Sequence, residues 1–277
     1  MHLFLETEMN QSLKLWQLST AIVFTMIFGS AAFSQETKTA SKTSMSSFKE
    51  ISFKSLDGLE VTADLYWKHD DKSKPFIVLC HQAGWSRGEY REIAPMLNEL
   101  GFNCMAIDQR SGGAVEGVSN QTASRATRAK KSVTFVDAEQ DMIAAIKYAR
   151  GNYANGKLVL WGSSYSSALA LRIAGEHADQ VDGVLAFAPG EYFARQGKPG
   201  NWIESSARKI TAPVFVTSAK REHSSWKAIF KSISAAGATS FLPETAGNHG
   251  SRALWRKFGD SKDYWVAVKG FLVQFQQ

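Results

Sequence analysis

The sequence predicts an α/β domain whose sheet is mostly parallel and covered by helices on both faces. Three observations lead there. Phe48 to Ser55 and Leu59 to Trp67 alternate apolar and polar residues on either side of Leu56-Asp57-Gly58, the signal of an antiparallel hairpin. After Lys74 the pattern changes to short, continuously apolar runs separated by stretches of helical spacing, as expected of strands buried on both faces. One such run, Leu158 to Trp161, turns through Gly162-Ser163-Ser164-Tyr165-Ser166 directly into a helical stretch, Ser167 to Ala174.

Taken in order, Pro75 to Cys80 reads as a strand and Tyr90 to Leu100 as a helix. Phe102 to Ile107 is the next strand, ending in Asp108, and a polar, glycine-rich loop runs from Ser111 to Lys131. Met142, Ile143, Ile146 and Ala149 give Asp137 to Tyr148 a helical face. Beyond the serine-bearing turn come strands over Val181 to Ala188 and Pro213 to Ser218, then a helix from Ser225 to Ala235. Ser240 to Leu242 is a short strand, and two helices, Arg252 to Phe258 and Asp263 to Phe275, close the chain. Strand–helix units in this order build a parallel sheet through right-handed crossovers, and residues 48–277 read as one domain.

The amino end obeys a different rule. Lys14, the apolar stretch Leu15 to Phe28 and the small residues Ser30-Ala31-Ala32 describe a signal peptide over residues 1–34, cleaved before Gln35 or after Ala32. Glu6 and Glu8 do not suit a positive leader, so translation is expected to start at Met9. The apolar stretch is shorter than the roughly 20 residues a membrane span needs, so no stable membrane insertion is expected after cleavage. The expected location is periplasmic or secreted. Residues 35–47 are rich in Ser, Thr and Lys without apolar rhythm and read as a flexible lead-in.

With 44% hydrophobic and 12% aromatic residues the chain has ample material for a core, which excludes wholesale disorder. The net charge of +6 includes a cluster at Arg125, Arg128, Lys130 and Lys131, but no nucleic-acid-binding motif accompanies it. Cys80 ends one strand and Cys104 begins its neighbour; an offset of three residues is about 10 Å, too far to bridge. Two free thiols are expected.

A strand turning sharply into a helix, with a serine at the turn, lifts one hydroxyl above the sheet and aims the helix's first N–H groups at whatever that hydroxyl attacks. Ser164 is the candidate nucleophile. It needs a base, and the base needs a carboxylate to fix its tautomer. His177 lies three to four turns along the same helix. His249, in Ala246-Gly-Asn-His-Gly-Ser251 after the last strand, is the candidate base. Glu222, just beyond the strand at 213–218, is the candidate acid, with Glu191 as the alternative and His223 pointing elsewhere. The oxyanion donors would be the backbone N–H groups of Tyr165 and Ala83. His81 reads as a structural residue at a strand end. Trp85, Tyr165, Tyr192 and Trp202 are expected around the substrate. No His or carboxylate cluster has metal-ligand spacing.

With these residues in hand, the chain resembles the α/β-hydrolase family, most of all its dienelactone-hydrolase-like esterases. The resemblance spans roughly residues 55–275. It rests on Leu79-Cys-His-Gln-Ala-Gly84, Ala106-Ile-Asp-Gln-Arg-Ser-Gly-Gly113, the serine turn, Ala212-Pro-Val-Phe-Val-Thr-Ser-Ala219 and Asn248-His-Gly-Ser251. It implies the α/β-hydrolase fold with an eight-stranded sheet, one strand antiparallel, and neither metal nor organic cofactor. Dienelactone hydrolases use a cysteine at the place of Ser164, so their substrate is not carried over. Glu222 stands where the family commonly has Asp, Gln82 where it often has Gly, and Ser166 where the turn usually has a second Gly. About twenty residues separate Ala188 from Ala212, too few for a large helical cap.

The expected activity is therefore an exported serine hydrolase cleaving small carboxylic esters. A peptidase or amidase on the same residues and a non-catalytic binding protein on the same fold are the alternatives.

Overall fold

The computed structural model describes residues 47–276; the expected leader and nearly all of the lead-in lie outside the described residues. The hairpin forms as β1 (Lys49–Lys54) and β2 (Glu60–Tyr66), in antiparallel register with Lys54 opposite Glu60. The apolar runs become β3 (Phe76–Cys80) and β4 (Asn103–Ile107), every residue of both buried. A small ribbon, β5 (Ala114–Val115) and β6 (Val118–Ser119), stands apart from the main sheet. The serine turn follows β7 (Leu158–Ser163), and β8 (Gly183–Phe187), β9 (Val214–Thr217) and β10 (Thr239–Phe241) complete the set.

The eight main strands lie in the order β1-β2-β4-β3-β7-β8-β9-β10. β2 runs antiparallel to both of its neighbours, and every other pairing is parallel. This is the α/β-hydrolase fold. The carboxyl ends of β3, β7, β8, β9 and β10 therefore share one rim, which is where a ligand meets an open parallel sheet. Cys104 pairs with Ile77, three residues short of Cys80, and both thiols are buried and free.

The helices are α1 (Ile93–Glu99), α2 (Gln121–Arg128), α3 (Glu139–Asn152), α4 (Tyr165–Glu176), α5 (Trp202–Ala207), α6 (His223–Ser232) and α7 (Ser261–Leu272). Two apolar clusters lie on opposite faces of the sheet. Met142, Ala145, Leu169 and Ile173 of α3 and α4 belong to one, Ile93, Leu97, Val268 and Phe271 of α1 and α7 to the other. Among the described residues no helix is long and apolar enough to cross a membrane.

Three sequence expectations are corrected. The stretch 111–131 is not one loop: Asn120 caps α2 by accepting the Ala123 N–H at 2.7 Å. Only Thr122, Ala123 and Ala126 of α2 are buried, so it carries no large apolar stripe to betray it. The helix expected over 252–258 is a single 3₁₀ turn, Ser251–Leu254. Trp255 leaves it extended because its indole N–H donates to the Glu89 carbonyl at 2.9 Å. α5 lies in the short segment after β8, where no element was expected.

Candidate active site

Ser164 sits between β7 and α4 with φ +58°, a region that costs a non-glycine residue about 1–3 kcal/mol. The surroundings hold it there. Its N–H donates to the Phe187 carbonyl at 2.7 Å, and its own carbonyl accepts the Ser167 and Ala168 N–H groups of the first turn of α4. Gly162 is required because a Cβ there would lie 2.4 Å from Ser166 O and Ser167 Cα. The other small residue, Ser166, needs no positive φ. Its Oγ accepts the Ser163 N–H at 2.9 Å and donates to the Cys80 carbonyl at 2.8 Å. A serine at this position thus ties the turn to the end of β3, which a glycine could not do.

On the same rim, His249 Nδ1 lies 2.8 Å from Glu222 Oε1. Glu222 follows β9 and immediately precedes α6, and its second oxygen accepts the Ala219 N–H at 3.3 Å. Burial pulls the Glu222 carboxyl up, but the hydrogen bond and charge of His249, the Ala219 N–H and the charge of Arg221 outweigh it. Glu222 therefore stays below the usual carboxylate range and is ionised at neutral pH. Glu191 is committed elsewhere: it accepts the Ile203 and Glu204 N–H groups at 2.8–3.1 Å and caps α5. His177 ends α4, and His223 packs edge-on against Trp226.

The loop after β3 runs beside this turn. The N–H groups of Ala83 and Tyr165 donate to no protein acceptor among the described residues. His81 is fully buried, with Nδ1 donating to the Gln82 carbonyl at 2.8 Å and Nε2 accepting the Gln109 N–H at 3.1 Å. Burial lowers its pKa to about 4, so it is a neutral structural residue that shapes the loop.

The expected wall residues separate. The Tyr192 hydroxyl donates to the Ala188 carbonyl at 2.7 Å and faces the Ser164 side chain; burial and the charge of Glu222 push its pKa up to about 12. Trp85 stacks on Trp255 with centroids 5.3 Å apart and lies near Arg252. The Tyr165 ring is in the core, stacked on Phe135 at 4.5 Å, with its hydroxyl accepting from Ser111 at 2.6 Å. Trp202 is drawn away from the rim: its ring packs on Phe193 at 4.9 Å and is covered by the Arg172 guanidinium at 4.2 Å. Arg172 lies two turns along α4 from Ser164, about 12 Å at 1.5 Å per residue.

A cavity of about 450 Å³ opens beside His249, lined by Ala219, Lys220, Arg221, Ala246, Gly247, Asn248 and Arg252. Three cationic side chains and no carboxylate line it among the described residues. Among the described residues, no three His, Cys, Asp or Glu side chains are grouped to hold a metal ion.

Glu89 is one of several buried charged groups not singled out in the sequence. It is fully buried and accepts from Gln82 in the loop after β3 and from Ser163 in the turn. Its only sequence signal is a position seven residues beyond Gln82, where a glutamate reads as surface charge.

The profile of the family described as serine aminopeptidase, S33, matches residues 71–235. Among solved structures, an esterase of Pyrococcus furiosus superposes with a TM-score of 0.64 at 17% identity, covering 83% of this chain and 91% of that one. A dienelactone hydrolase of Anabaena variabilis gives 0.63 at 13% identity over 83% and 100% of the two chains. Est1E of Butyrivibrio proteoclasticus, solved with ferulic acid bound, gives 0.60 at 16% identity over 81% and 98%. Comparison with curated proteins finds no match.

Proposed function

The chain belongs to the serine aminopeptidase S33 family of α/β-hydrolases, and we propose that within it this protein is an exported serine hydrolase of small carboxylic esters. Ser164 Oγ attacks the acyl carbon while His249 Nε2 takes its proton. The Nδ1–H of His249 donates to Glu222, which fixes the tautomer and stabilises the imidazolium. The Ala83 and Tyr165 N–H groups hold the oxyanion. The imidazolium then protonates the leaving alcohol, and water, deprotonated by the same imidazole, releases the acid. Tyr192 borders the nucleophile and Trp85 the outer wall.

The observation that carries this reading is the 2.8 Å His249–Glu222 pair on the rim where Ser164 occupies its strained turn. An aminopeptidase, the second reading offered by the family's description, must receive a protonated α-amino group. The cavity beside His249 carries Lys220, Arg221 and Arg252 and, among its described lining, no carboxylate to pair with such an ammonium. Matched p-nitrophenyl ester and p-nitroanilide substrates separate the two. We expect ester turnover that disappears in Ser164→Ala; anilide turnover exceeding that of the ester overturns the proposal. Export rests on Lys14, the apolar stretch Leu15 to Phe28 and the small residues after it. Amino-terminal sequencing of protein from a periplasmic or culture fraction should begin at Gln35 or at Phe33, and full-length protein confined to the cytoplasm would refute it.

A further inference from the structure

We propose that Glu89 is a positioning residue for the hydrolytic reaction, one ionised carboxylate that holds the oxyanion loop, the nucleophile turn and the histidine loop in register. The proposal rests on the serine-hydrolase reading above. Glu89 lies in the 3₁₀ turn Arg87–Tyr90 and is fully buried. Its Oε2 accepts the backbone N–H of Gln82 at 2.8 Å, one residue before the Ala83 donor. Its Oε1 accepts the Ser163 hydroxyl at 2.7 Å, one residue before the nucleophile, and the Gln82 side-chain amide at 3.3 Å.

The contact does not stop at Ser163. The same Ser163 Oγ accepts the Ser251 N–H at 2.8 Å, two residues beyond His249. A Cβ on the intervening Gly250 would lie 2.5 Å from that oxygen, so the histidine loop is pressed directly onto the hydroxyl. Three loops that supply three different catalytic functions thus meet on two side chains. A carboxylate suits this place better than any neutral group. It accepts from Ser163 and from both Gln82 donors at once, and that acceptance leaves the Ser163 lone pairs free for Ser251.

The ionised form is the one that satisfies every donor. Protonation at Oε1 would turn Glu89 into a donor toward Ser163, whose hydroxyl hydrogen would then lose its acceptor. The titratable groups facing Glu89 are His249, Tyr90 on its own turn and Tyr165 at the start of α4. Burial holds both tyrosines neutral, so His249 is the group whose charge couples to Glu89. Burial also pushes the Glu89 carboxyl up to about 7, against the opposing pull of Ser163, Gln82 and His249. Activity should therefore rise as pH increases through neutrality and the carboxylate forms. Its charge then also favours the imidazolium that appears as Ser164 attacks.

The test compares wild type, Glu89→Gln, Ser163→Ala and the double variant on a p-nitrophenyl ester from pH 5 to 9, with fluorophosphonate labelling of each. Displacement of reacting groups by about 1 Å costs on the order of 10²-fold, so each single variant should lose about that in kcat with KM changed only a few-fold. The double variant should lose little more than either, because the two act as one unit. Glu89→Gln should also change the acid limb of the pH profile, and its loss in kcat should persist at temperatures well below its thermal midpoint. Glu89→Gln with wild-type kcat and an unchanged pH profile overturns the proposal and leaves the hydrolase reading standing. So does a loss of activity that merely follows a lowered thermal midpoint. Wild type that neither turns over ester nor labels at Ser164 removes both.

Discussion

Replacing Glu222 with Gln removes one charge and leaves the shape of the site almost unchanged. The interaction lost exists only when His249 becomes positive, as it does while Ser164 attacks. Two unit charges at the 2.8 Å separation seen here interact by about 6 kcal/mol at an effective dielectric of about 20. The side chains of His249 and Glu222 are 28% and 20% exposed, so water supplies part of that stabilisation in the variant. A net loss of about 4 kcal/mol is a factor of about 10³ in kcat. The assay is p-nitrophenyl ester hydrolysis under saturating substrate, with circular dichroism to verify folding. Glu191→Gln is the control, since Glu191 caps α5; it should keep activity within a few-fold and lose about 1 kcal/mol of stability. Activity of Glu222→Gln within tenfold of wild type, or a larger loss in Glu191→Gln, would refute the assignment of the acid.

Three further outcomes follow from the same contacts. Gly250→Ala sets a Cβ 2.5 Å from Ser163 Oγ at φ +72°, and should cost about 2–4 kcal/mol, read as a midpoint about 5–15 °C lower. Glu89 has a folded pKa raised to about 7 from 4.5, so its contribution to stability is complete below pH 4.5 and is lost as pH rises through 7. Wild type should thus lose on the order of 3 kcal/mol relative to Glu89→Gln between pH 4.5 and 8, and parallel stability curves for the two would contradict that. Thiol titration of denatured, unreduced protein should find two thiols, Cys80 and Cys104, and finding none would contradict the strand register.

Much of the fold was legible because the buried strands are nearly pure apolar runs. Phe76–Cys80 and Leu158 to Trp161 are continuously apolar runs of strand length, and every residue in them is buried. The serine turn was legible because Gly162 and Ser166 are small at the two places where strand and helix touch. The His249–Glu222 pairing followed from chain order alone, and the two side chains do meet. Other features left no apolar signature. α2 packs through Thr122, Ala123 and Ala126, and the 3₁₀ turn at 251–254 is set by where the Trp255 indole finds its acceptor. Trp202 looked like a wall residue, but Arg172 and Phe193 engage its ring. Glu89 was invisible for the opposite reason. A lone glutamate resembles surface charge until the fold surrounds it with Gln82, Ser163 and the histidine loop.

The most direct measurement is covalent labelling with a fluorophosphonate probe, mapped by peptide mass spectrometry, on wild type beside Ser164→Ala. A single adduct on Ser164 of the wild type, absent from the variant, is the predicted result. A folded wild-type protein that takes up no probe, or takes it up on another residue, would contradict the account.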